Sequence, residues 1–342
     1  MTNQAILVVG PSWVGDMVMA QALFKLLKER HPETAIDVLA PAWSSPLLAR
    51  MPEVRKAVVS PAAHGEIALG KRWQVARALR AEKYAQAVVL PRSLKAALIP
   101  WFAGIPRRTG FRGEMRFGLI NDMHEFDERR LDQTVKRFLA LGLSPDEPLP
   151  AVPEPRLVVS TTNQRAVVER LGLATDKPVI AMMPGAEYGP AKCWPIEYFR
   201  ELAGMLAEAG YVVWVLGSSK DQLAGDAIAR DGHARNLCGQ TELEDVIDLL
   251  GVCVQAVSND SGLMHIAAAV GIRVVALYGS TTPAFTPPLT GNRFLHYLAI
   301  ECSPCFQRQC PLGHLRCLRE ILPVAVLASV GPPPPPGLKF HS

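Results

Sequence analysis

One carboxylate stands out near the start of the chain, in the segment Val9-Gly10-Pro11-Ser12-Trp13-Val14-Gly15-Asp16. Its two glycines are spaced as in a phosphate-binding loop, but the residue after the second glycine is an acid, which would repel a phosphate. The segment also lacks the GxGxxG pattern of a dinucleotide-dependent oxidoreductase. Two roles for Asp16 remain open at this point. It could cap the helix that follows, or it could stay ionised and act as a general base toward an attacking hydroxyl.

A lysine lies in a turn-rich loop of the second half, Met183 to Pro195, which also predicts a helix start near Pro195. The amine of Lys192 suits a leaving diphosphate, whose negative charge grows as a glycosidic bond breaks. A solvated loop lysine is the plainer alternative. In the loop Glu187 and Tyr188 precede this lysine.

The run Ser258 to His265 is a further candidate, because it follows an apolar run and opens a helical pattern. Ser261 is predicted to cap this helix, beside Gly262, and the N–H groups beyond the cap would bind an anion. Asp260 would repel phosphate and suits a sugar hydroxyl instead. His265 could hold phosphate or pack within its helix, and one histidine does not decide between the two.

Two more turns at predicted strand ends contain Gly217 and Thr241. Each is a weak signal alone, but their shared position at strand ends predicts that they line a nucleoside pocket.

A basic segment with interleaved aromatic residues runs from Arg92 to Arg116 and contains only one acid, Glu114. It suits an anionic acceptor, since arginine forks onto phosphate and carboxylate, and it also suits an anionic membrane surface. A solvated basic loop is the alternative, and no other feature matches an RNA-binding module. The basic residues are Arg92, Lys95, Arg107, Arg108, Arg112 and Arg116, and the aromatic residues are Trp101, Phe102 and Phe111.

The chain has seven cysteines, four of which are bunched near the end as Cys302, Cys305, Cys310 and Cys317, with His314 nearby. Their spacing is irregular for a structural zinc site. Reduced thiols are the favoured prediction, and metal binding by the four stays open.

The pattern around these residues is that of an α/β protein, with short apolar runs alternating with helical stripes. Residues 148–155 hold four prolines and predict a linker between an N-terminal domain, residues 1–155, and a C-terminal domain, residues 156–330. We expect a ligand cleft between the two domains. A proline run predicts that residues 331–342 are disordered or polyproline-like. Strands are predicted at Ile6–Gly10, Ile36–Ala40, Ala87–Pro91, Val179–Met183, Val212–Gly217, Val254–Ser258 and Val274–Tyr278.

The 342 residues are 49% hydrophobic and carry 36 basic against 32 acidic side chains, a net charge of +4. This composition indicates a globular protein, and the charge is too mild to indicate nucleic-acid binding. No apolar run is long enough to span a bilayer, and the N-terminus lacks the layout of a signal peptide. We therefore expect a cytoplasmic protein.

Several long motifs closely resemble those of the bacterial lipopolysaccharide heptosyltransferases, glycosyltransferase family 9. The resemblance runs from about Ile6 to Leu322 and is greatest to the members that add the second inner-core heptose. The motifs are WVGDMVMAQ, LPRSLKAALIPWFAGIPRRTGFRGEMR, PGAEYGPAKCWP, SNDSGLMHIAAA and CSPCFQRQCPLGHLRCL. After Leu322 the chain departs from the family's helical ending, and the proline run is foreign to it.

The resemblance implies a GT-B fold of two Rossmann-like domains, with the acceptor on the first and the donor on the second. It implies inverting transfer of L-glycero-D-manno-heptose from ADP-heptose to heptosyl-Kdo2-lipid A, without a metal or cofactor. In it Asp16 is the catalytic base and Lys192 stabilises the leaving ADP. The donor residues are Glu187, Tyr188, Gly217, Thr241, Asp260, Ser261, Gly262 and His265, and the acceptor residues are Arg92, Lys95, Arg107, Arg108 and Arg112.

The implied enzyme works at the inner face of the inner membrane as a peripheral protein. Two alternatives remain: transfer to Kdo2-lipid A in the manner of a first heptosyltransferase, and a non-catalytic protein that binds nucleotide sugars. The second would tolerate replacement of Asp16 by asparagine.

Overall fold

The computed structural model describes residues 5–61 and 68–332. The chain forms two compact units with the boundary after Pro155. The predicted linker, residues 148–155, ends at that boundary. From residue 333 onward the predicted proline-rich tail lies outside the described residues.

The first unit is one six-stranded parallel sheet with the strand order β3-β2-β1-β4-β5-β6. The strands are β1 Ile6–Val9, β2 Ile36–Ala40, β3 Val54–Val59, β4 Gln86–Val89, β5 Arg107–Phe111 and β6 Asp122–His124. The helices are α1 Val14–Arg30, α2 Ser45–Leu48, α3 Leu69–Leu79, α4 Leu94–Phe102 and α5 Thr134–Ala140.

The central strand β1 reads Ile-Leu-Val-Val and is buried along its whole length, as expected for a parallel strand covered on both faces. In the helix α1, which follows this strand, Met19, Leu23 and Leu27 recur at helical spacing along one stripe, and all three are buried. Burial extends further around the helix than one stripe, however, because α5 packs against α1.

The second unit is also a six-stranded parallel sheet, with the order β12-β11-β10-β7-β8-β9. Counted from its own first strand, this is the same order as in the first unit. The strands are β7 Val179–Met183, β8 Val212–Val215, β9 Arg235–Asn236, β10 Gln255–Asn259, β11 Arg273–Tyr278 and β12 Arg293–Tyr297. The helices are α6 Thr161–Arg170, α7 Ile196–Glu208, α8 Gln222–Ala229, α9 Leu243–Leu250, α10 Gly262–Val270, α11 Arg316–Arg319 and α12 Pro323–Val330.

In each sheet, successive strands are added first on one side of the first strand and then on the other. The direction reverses between β1 and β4 in the first unit and between β7 and β10 in the second. In such sheets the loops that leave the carboxyl ends of these two strands diverge and form the ligand crevice. The loops in question begin at residues 10, 90, 184 and 260. Together with the first turns of the helices that follow them, they contain Asp16, Arg92, Lys95, Glu187, Tyr188, Lys192, Asp260, Ser261, Gly262 and His265.

Beyond Leu322, where the resemblance to the family was expected to end, the chain forms the helix α12. Val326 and Val330 are buried in the core of the second unit, and the Gln255 amide donates to the Val330 carbonyl at 2.6 Å.

Candidate active site

Asp16 lies in the first turn of α1, which begins at Val14 with Trp13 in the N-cap position. Asp16 is therefore the third helical residue, and its interpretation as the cap is wrong. Its side chain is half-buried, and the positive end of the helix dipole favours the ionised carboxylate. Gly10 serves close packing, since a Cβ there would stand 2.7 Å from the Met17 Cε.

Three further elements of the first sheet bring basic and aromatic side chains to the same carboxyl edge. Arg92 follows β4, Arg112 follows β5 and Phe126 follows β6. The Arg92 Cζ lies 4.4 Å from the centre of the Phe126 ring. Lys95 is half-buried in the first turn of α4, and its carbonyl accepts a hydrogen bond from Arg72.

Arg137 on α5 completes this group. Its Cζ lies 4.8 Å from the Phe126 ring centre, so two guanidinium groups stack on one ring. Burial lowers the pKa of Arg137, and the charges of Glu128, Asp132 and Asp16 oppose that effect. Arg137 is thus within electrostatic range of the candidate base.

Arg107 and Arg108 lie elsewhere. They begin β5 and pair in register with Gln86 and Ala87, so they occupy the amino edge of the sheet. The five residue-to-residue steps from Arg107 to Arg112 span roughly 16 Å of extended chain. The single acceptor patch predicted from the sequence is therefore split, because a strand runs through it. Arg107 pairs with Asp122 at 2.8 Å.

The guanidinium of Arg108 bonds to backbone carbonyls of Ile105, Leu119 and Gly118. This is a structural role that closes the loop before β6.

Arg116, the last basic residue of the segment, lies in the interior and is not part of a basic surface. It is 1% exposed, and its guanidinium donates to the carbonyls of Pro91, Ser93 and Phe111. Burial lowers its pKa to about 10. The hydrogen bonds of Arg116 therefore fix the backbone on either side of Arg92.

The aromatic residues of the segment also differ in exposure: Trp101 is exposed and Phe111 is buried.

In the second unit the amine of Lys192 donates to Asp260 Oδ2 at 2.6 Å. Lys192 follows β7 and Asp260 follows β10, so this ion pair bridges the reversal of strand order. The Thr281 hydroxyl, which follows β11, donates to the same carboxylate oxygen at 2.5 Å. The Asp260 side chain is only 4% exposed, so these two donors compensate its burial.

The other residues of the lysine loop lie in different surroundings. Tyr188 faces the Lys192 amine, which lies 5.0 Å from its ring centre, and its hydroxyl donates to the Phe306 carbonyl at 2.6 Å. Glu187 is exposed and pairs with Lys220 at 2.6 Å, so its carboxylate is turned toward a neighbouring loop. Gly189 has φ of +150°, and a Cβ there would lie 2.5 Å from the Arg308 carbonyl oxygen.

The start of α10 matches its prediction only in part. Ser261 occupies the N-cap position, but its hydroxyl makes no capping bond and lies 3.3 Å from the Ser258 hydroxyl. Gly262 is the first helical residue. Burial lowers the pKa of His265 to about 4, so its imidazole is neutral near pH 7 and can offer a hydrogen bond but no charge.

Gly217 and Thr241 lie in adjoining turns at the carboxyl ends of β8 and β9, since the Gly239 amide donates to the Gly217 carbonyl at 3.1 Å. The Thr241 hydroxyl oxygen is buried and has no hydrogen-bond partner among the residues that the structure describes. A buried hydroxyl without a partner costs free energy, so a ligand that bonds to it would be favoured there.

The bunched cysteines share one cavity. Cys302, Cys305, Cys310 and Cys317 line a space of about 60 Å³ together with His314 and Ser280. All four are free thiols. Across residues 5–61 and 68–332, no group of three or more His, Cys, Asp and Glu side chains is arranged to hold a metal ion.

Cys310 is expected to be the first of these thiols to react with iodoacetamide. Backbone N–H groups of the 312–315 turn, that of Leu315 foremost, bond to its sulfur and lower the pKa of Cys310, whereas burial raises the pKa of Cys317 to about 11. A lowered pKa raises the thiolate fraction at neutral pH, and the thiolate is the reactive form. Peptide mass spectrometry after brief alkylation between pH 6 and 9 measures the order of labelling, with Cys310→Ser as the control. A midpoint for Cys310 at or above the usual thiol value of about 8.5 would contradict this assignment.

Three residues of these clusters were missed by the sequence reasoning. Thr281 follows a predicted strand, so the strand-end rule applied to the other loops would have found it. Phe126 follows the short strand β6, which was not predicted, and Arg137 lies within a helix. No local pattern singles out either one.

Two Rossmann-type sheets with charged groups at both reversals of strand order define the chain as an α/β protein of the GT-B class of glycosyltransferases. Residues 72–316 match glycosyltransferase family 9 (heptosyltransferase). The chain is 46% identical to lipopolysaccharide heptosyltransferase 2 of Escherichia coli over 335 residues, which cover 94% of this chain and 96% of that protein. The chain belongs to glycosyltransferase family 9, and the predicted family, fold class and enzyme class are confirmed.

Solved structures agree. The structure of Escherichia coli ADP-heptose lipopolysaccharide heptosyltransferase II has 41% sequence identity and a TM-score of 0.86, covering 96% of this chain and 97% of that one. The Escherichia coli heptosyltransferase WaaC with ADP is 19% identical with a TM-score of 0.70, covering 96% and 99%, which shows the common fold. Among the described residues, no helix has both the length and the apolar character required to cross a membrane.

Proposed function

We propose that the chain transfers L-glycero-D-manno-heptose from ADP-heptose to heptosyl-Kdo2-lipid A, with inversion at the anomeric carbon. The observation that carries this proposal is the cluster of Lys192, Asp260 and Thr281 at the reversal of strand order in the second unit. The relatives named heptosyltransferase 2, and a solved structure named for ADP-heptose, support the choice of donor and of acceptor.

The second unit would bind the donor. An ammonium group has three N–H donors, so Lys192 can keep its bond to Asp260 while it binds the diphosphate. Asp260 and Thr281 hold the amine in place before the substrate arrives, and such preorganised charge stabilises the leaving group as negative charge develops. The neutral His265 would add a hydrogen bond, and the buried Thr241 hydroxyl would bind the nucleoside.

The first unit would bind the acceptor and supply the base. Asp16 is half-buried at the start of α1 and would accept the proton of the attacking hydroxyl. The dipole that keeps the carboxylate charged also lowers its basicity. Proton transfer would therefore be late, when the anomeric carbon is already cationic and the hydroxyl has become acidic.

No metal is required in this proposal, because Lys192 supplies the positive charge that a divalent cation provides in other nucleotide-sugar enzymes. Arg308 adds a second cation near the same loop, with its Cζ 5.4 Å from the Tyr188 ring centre.

The chain would work at the inner face of the inner membrane, since its proposed acceptor is a lipid. Trp73, Trp101 and Phe117 are exposed on the first unit, beside cations such as Lys71 and Arg112, a composition suited to an anionic membrane interface.

The test is a transfer assay with ADP-heptose and heptosyl-Kdo2-lipid A in vesicles that contain anionic lipid, with EDTA present. We expect ADP release, a product heavier by one heptose, and co-sedimentation with anionic but not with neutral vesicles. Kdo2-lipid A serves as the comparison acceptor and is expected to give little product. Transfer that stops on adding EDTA, or that prefers Kdo2-lipid A, would overturn the corresponding part of the proposal.

A further inference from the structure

Two arginine guanidinium groups stack against the ring of Phe126. The Arg92 and Arg137 Cζ atoms lie 4.4 and 4.8 Å from its ring centre, and its ring packs edge-on against the buried Phe111 at 5.3 Å between centres. Stacking on an aromatic ring attracts each guanidinium and restricts its orientation. The two groups are thus held as a pair, which we call the arginine clamp.

The clamp concentrates positive charge. The charge of Arg92 lowers the pKa of Arg137, although burial contributes more to that shift. Arg92 acts in the same direction on the pKa of the buried Arg116, again after burial.

The acids around the clamp are already engaged in part. The charges of Glu128, Asp132 and Asp16 raise the pKa of Arg137, and the charge of Glu114 raises the pKa of Arg116, in each case against the larger effect of burial. Asp132 is paired with Lys136 at 2.7 Å, and Glu114 accepts the Leu94 amide at 2.7 Å. An anion placed between the two stacked guanidinium groups would therefore relieve their mutual repulsion.

Hydrogen bonds to backbone carbonyls restrain the chain at both arginines of the clamp. The buried Arg116 bonds to the carbonyls of Pro91 and Ser93, on either side of Arg92. The Arg137 Nε donates to the Leu131 carbonyl at 3.0 Å. Little ordering remains to be done when a ligand binds, so its affinity is not spent on rearranging these side chains.

The clamp lies at the carboxyl edge of the first sheet, within electrostatic range of Asp16. Arg92 follows β4 and Asp16 follows β1, which are the two strands at the reversal of strand order. A ligand bound by the clamp would therefore lie next to the candidate base.

We propose that the arginine clamp of Arg92 and Arg137 on Phe126 binds an anionic group of the acceptor sugar, a carboxylate or a phosphate, and thereby places the acceptor hydroxyl at Asp16. This inference rests on the proposed function and deepens it by defining the acceptor subsite. Fork-shaped guanidinium donors match either oxyanion.

The test separates acceptor binding from turnover. Arg137→Ala and Arg92→Ala are each expected to raise the KM for the acceptor about ten- to one-hundredfold, the range for loss of a charge-assisted hydrogen bond. The KM for ADP-heptose should change less than about twofold. Arg137→Lys should recover part of the loss, because it keeps the charge but not the fork. The matched control is Arg129→Ala, an exposed arginine two residues from Asp127 that faces none of these groups in the interactions described above.

Two modified acceptors identify the anion. One lacks phosphate on its sugars, and the other has its sugar carboxylate reduced to an alcohol. The clamp binds the group whose removal abolishes the difference in acceptor KM between wild type and Arg137→Ala. If both modified acceptors bind wild type as tightly as the parent acceptor does, the clamp proposal is wrong.

Acceptor affinity is also measured without turnover, by calorimetry on Asp16→Asn protein with and without Arg137→Ala. A binding measurement distinguishes failure of the clamp proposal from failure of the proposed reaction. Loss of acceptor affinity with the clamp variants supports the clamp even if ADP-heptose proves to be the wrong donor. Unchanged affinity overturns the clamp even if heptose transfer is observed.

Discussion

Replacing Asp16 by asparagine is expected to lower kcat by about 10² to 10⁴-fold, the usual contribution of a general base. Asparagine has nearly the same shape, so α1 should form as before and the carboxamide should leave its surroundings intact. It cannot accept the proton of an attacking hydroxyl. The affinity for ADP-heptose should stay within about threefold of wild type, because the proposed donor residues all belong to the second unit.

The matched control is Glu29→Gln, which neutralises an exposed acid at the other end of the same helix. Its kcat should equal that of wild type. Steady-state kinetics of ADP release and calorimetric binding of ADP-heptose measure the two quantities. Full activity of the Asp16→Asn enzyme would remove the base assignment.

Replacing Lys192 by alanine should reduce both activity and stability. The rate is expected to fall by about 10² to 10³-fold, as for the loss of one preorganised donor to a developing anion. The free energy of unfolding should fall by about 3 kcal/mol, because Asp260 would be left as a buried carboxylate without its ion-pair partner.

A second variant separates the two effects. In the double variant Lys192→Ala with Asp260→Asn, no buried charge is left alone, so stability should recover while activity stays low. Denaturant unfolding and kcat/KM follow the two quantities, with Lys177→Ala at the amino end of β7 as the control. Stability losses that simply add in the double variant would show that the pair is not energetically coupled.

The sequence was sufficient to predict the central strands of both sheets. β1 and β7 are buried on both faces and read as unbroken apolar runs, which is the strongest strand signal, and the buried β2 departs from such a run only at Asp37. β3 and β12 have alternating or exposed positions, and β9 has only two residues. These strands lie at the margins of the sheets, where burial does not enforce an apolar pattern, and they were missed for that reason.

Contacts between distant residues could not be read from the sequence. Lys192 and Asp260 are 68 positions apart, and their loops meet only because β7 and β10 are neighbours in the sheet. The sequence predicted that both were near the donor but not that they form an ion pair. Arg107 shows the opposite error: it is close to Arg112 along the chain, but the strand between them separates the two.

The same strand order occurs twice in this chain, with opposite charges at corresponding positions. The segment after the first strand of one sheet presents an acid, Asp16, in the first turn of α1, and the segment after the first strand of the other presents an amine, Lys192. The strand order alone therefore does not determine which substrate each copy receives; under the proposed function, Asp16 would assign the nucleophile to the first copy and Lys192 the leaving group to the second. The loops of the first copy could then diverge toward a new sugar acceptor while the copy proposed to bind the nucleotide remained unchanged.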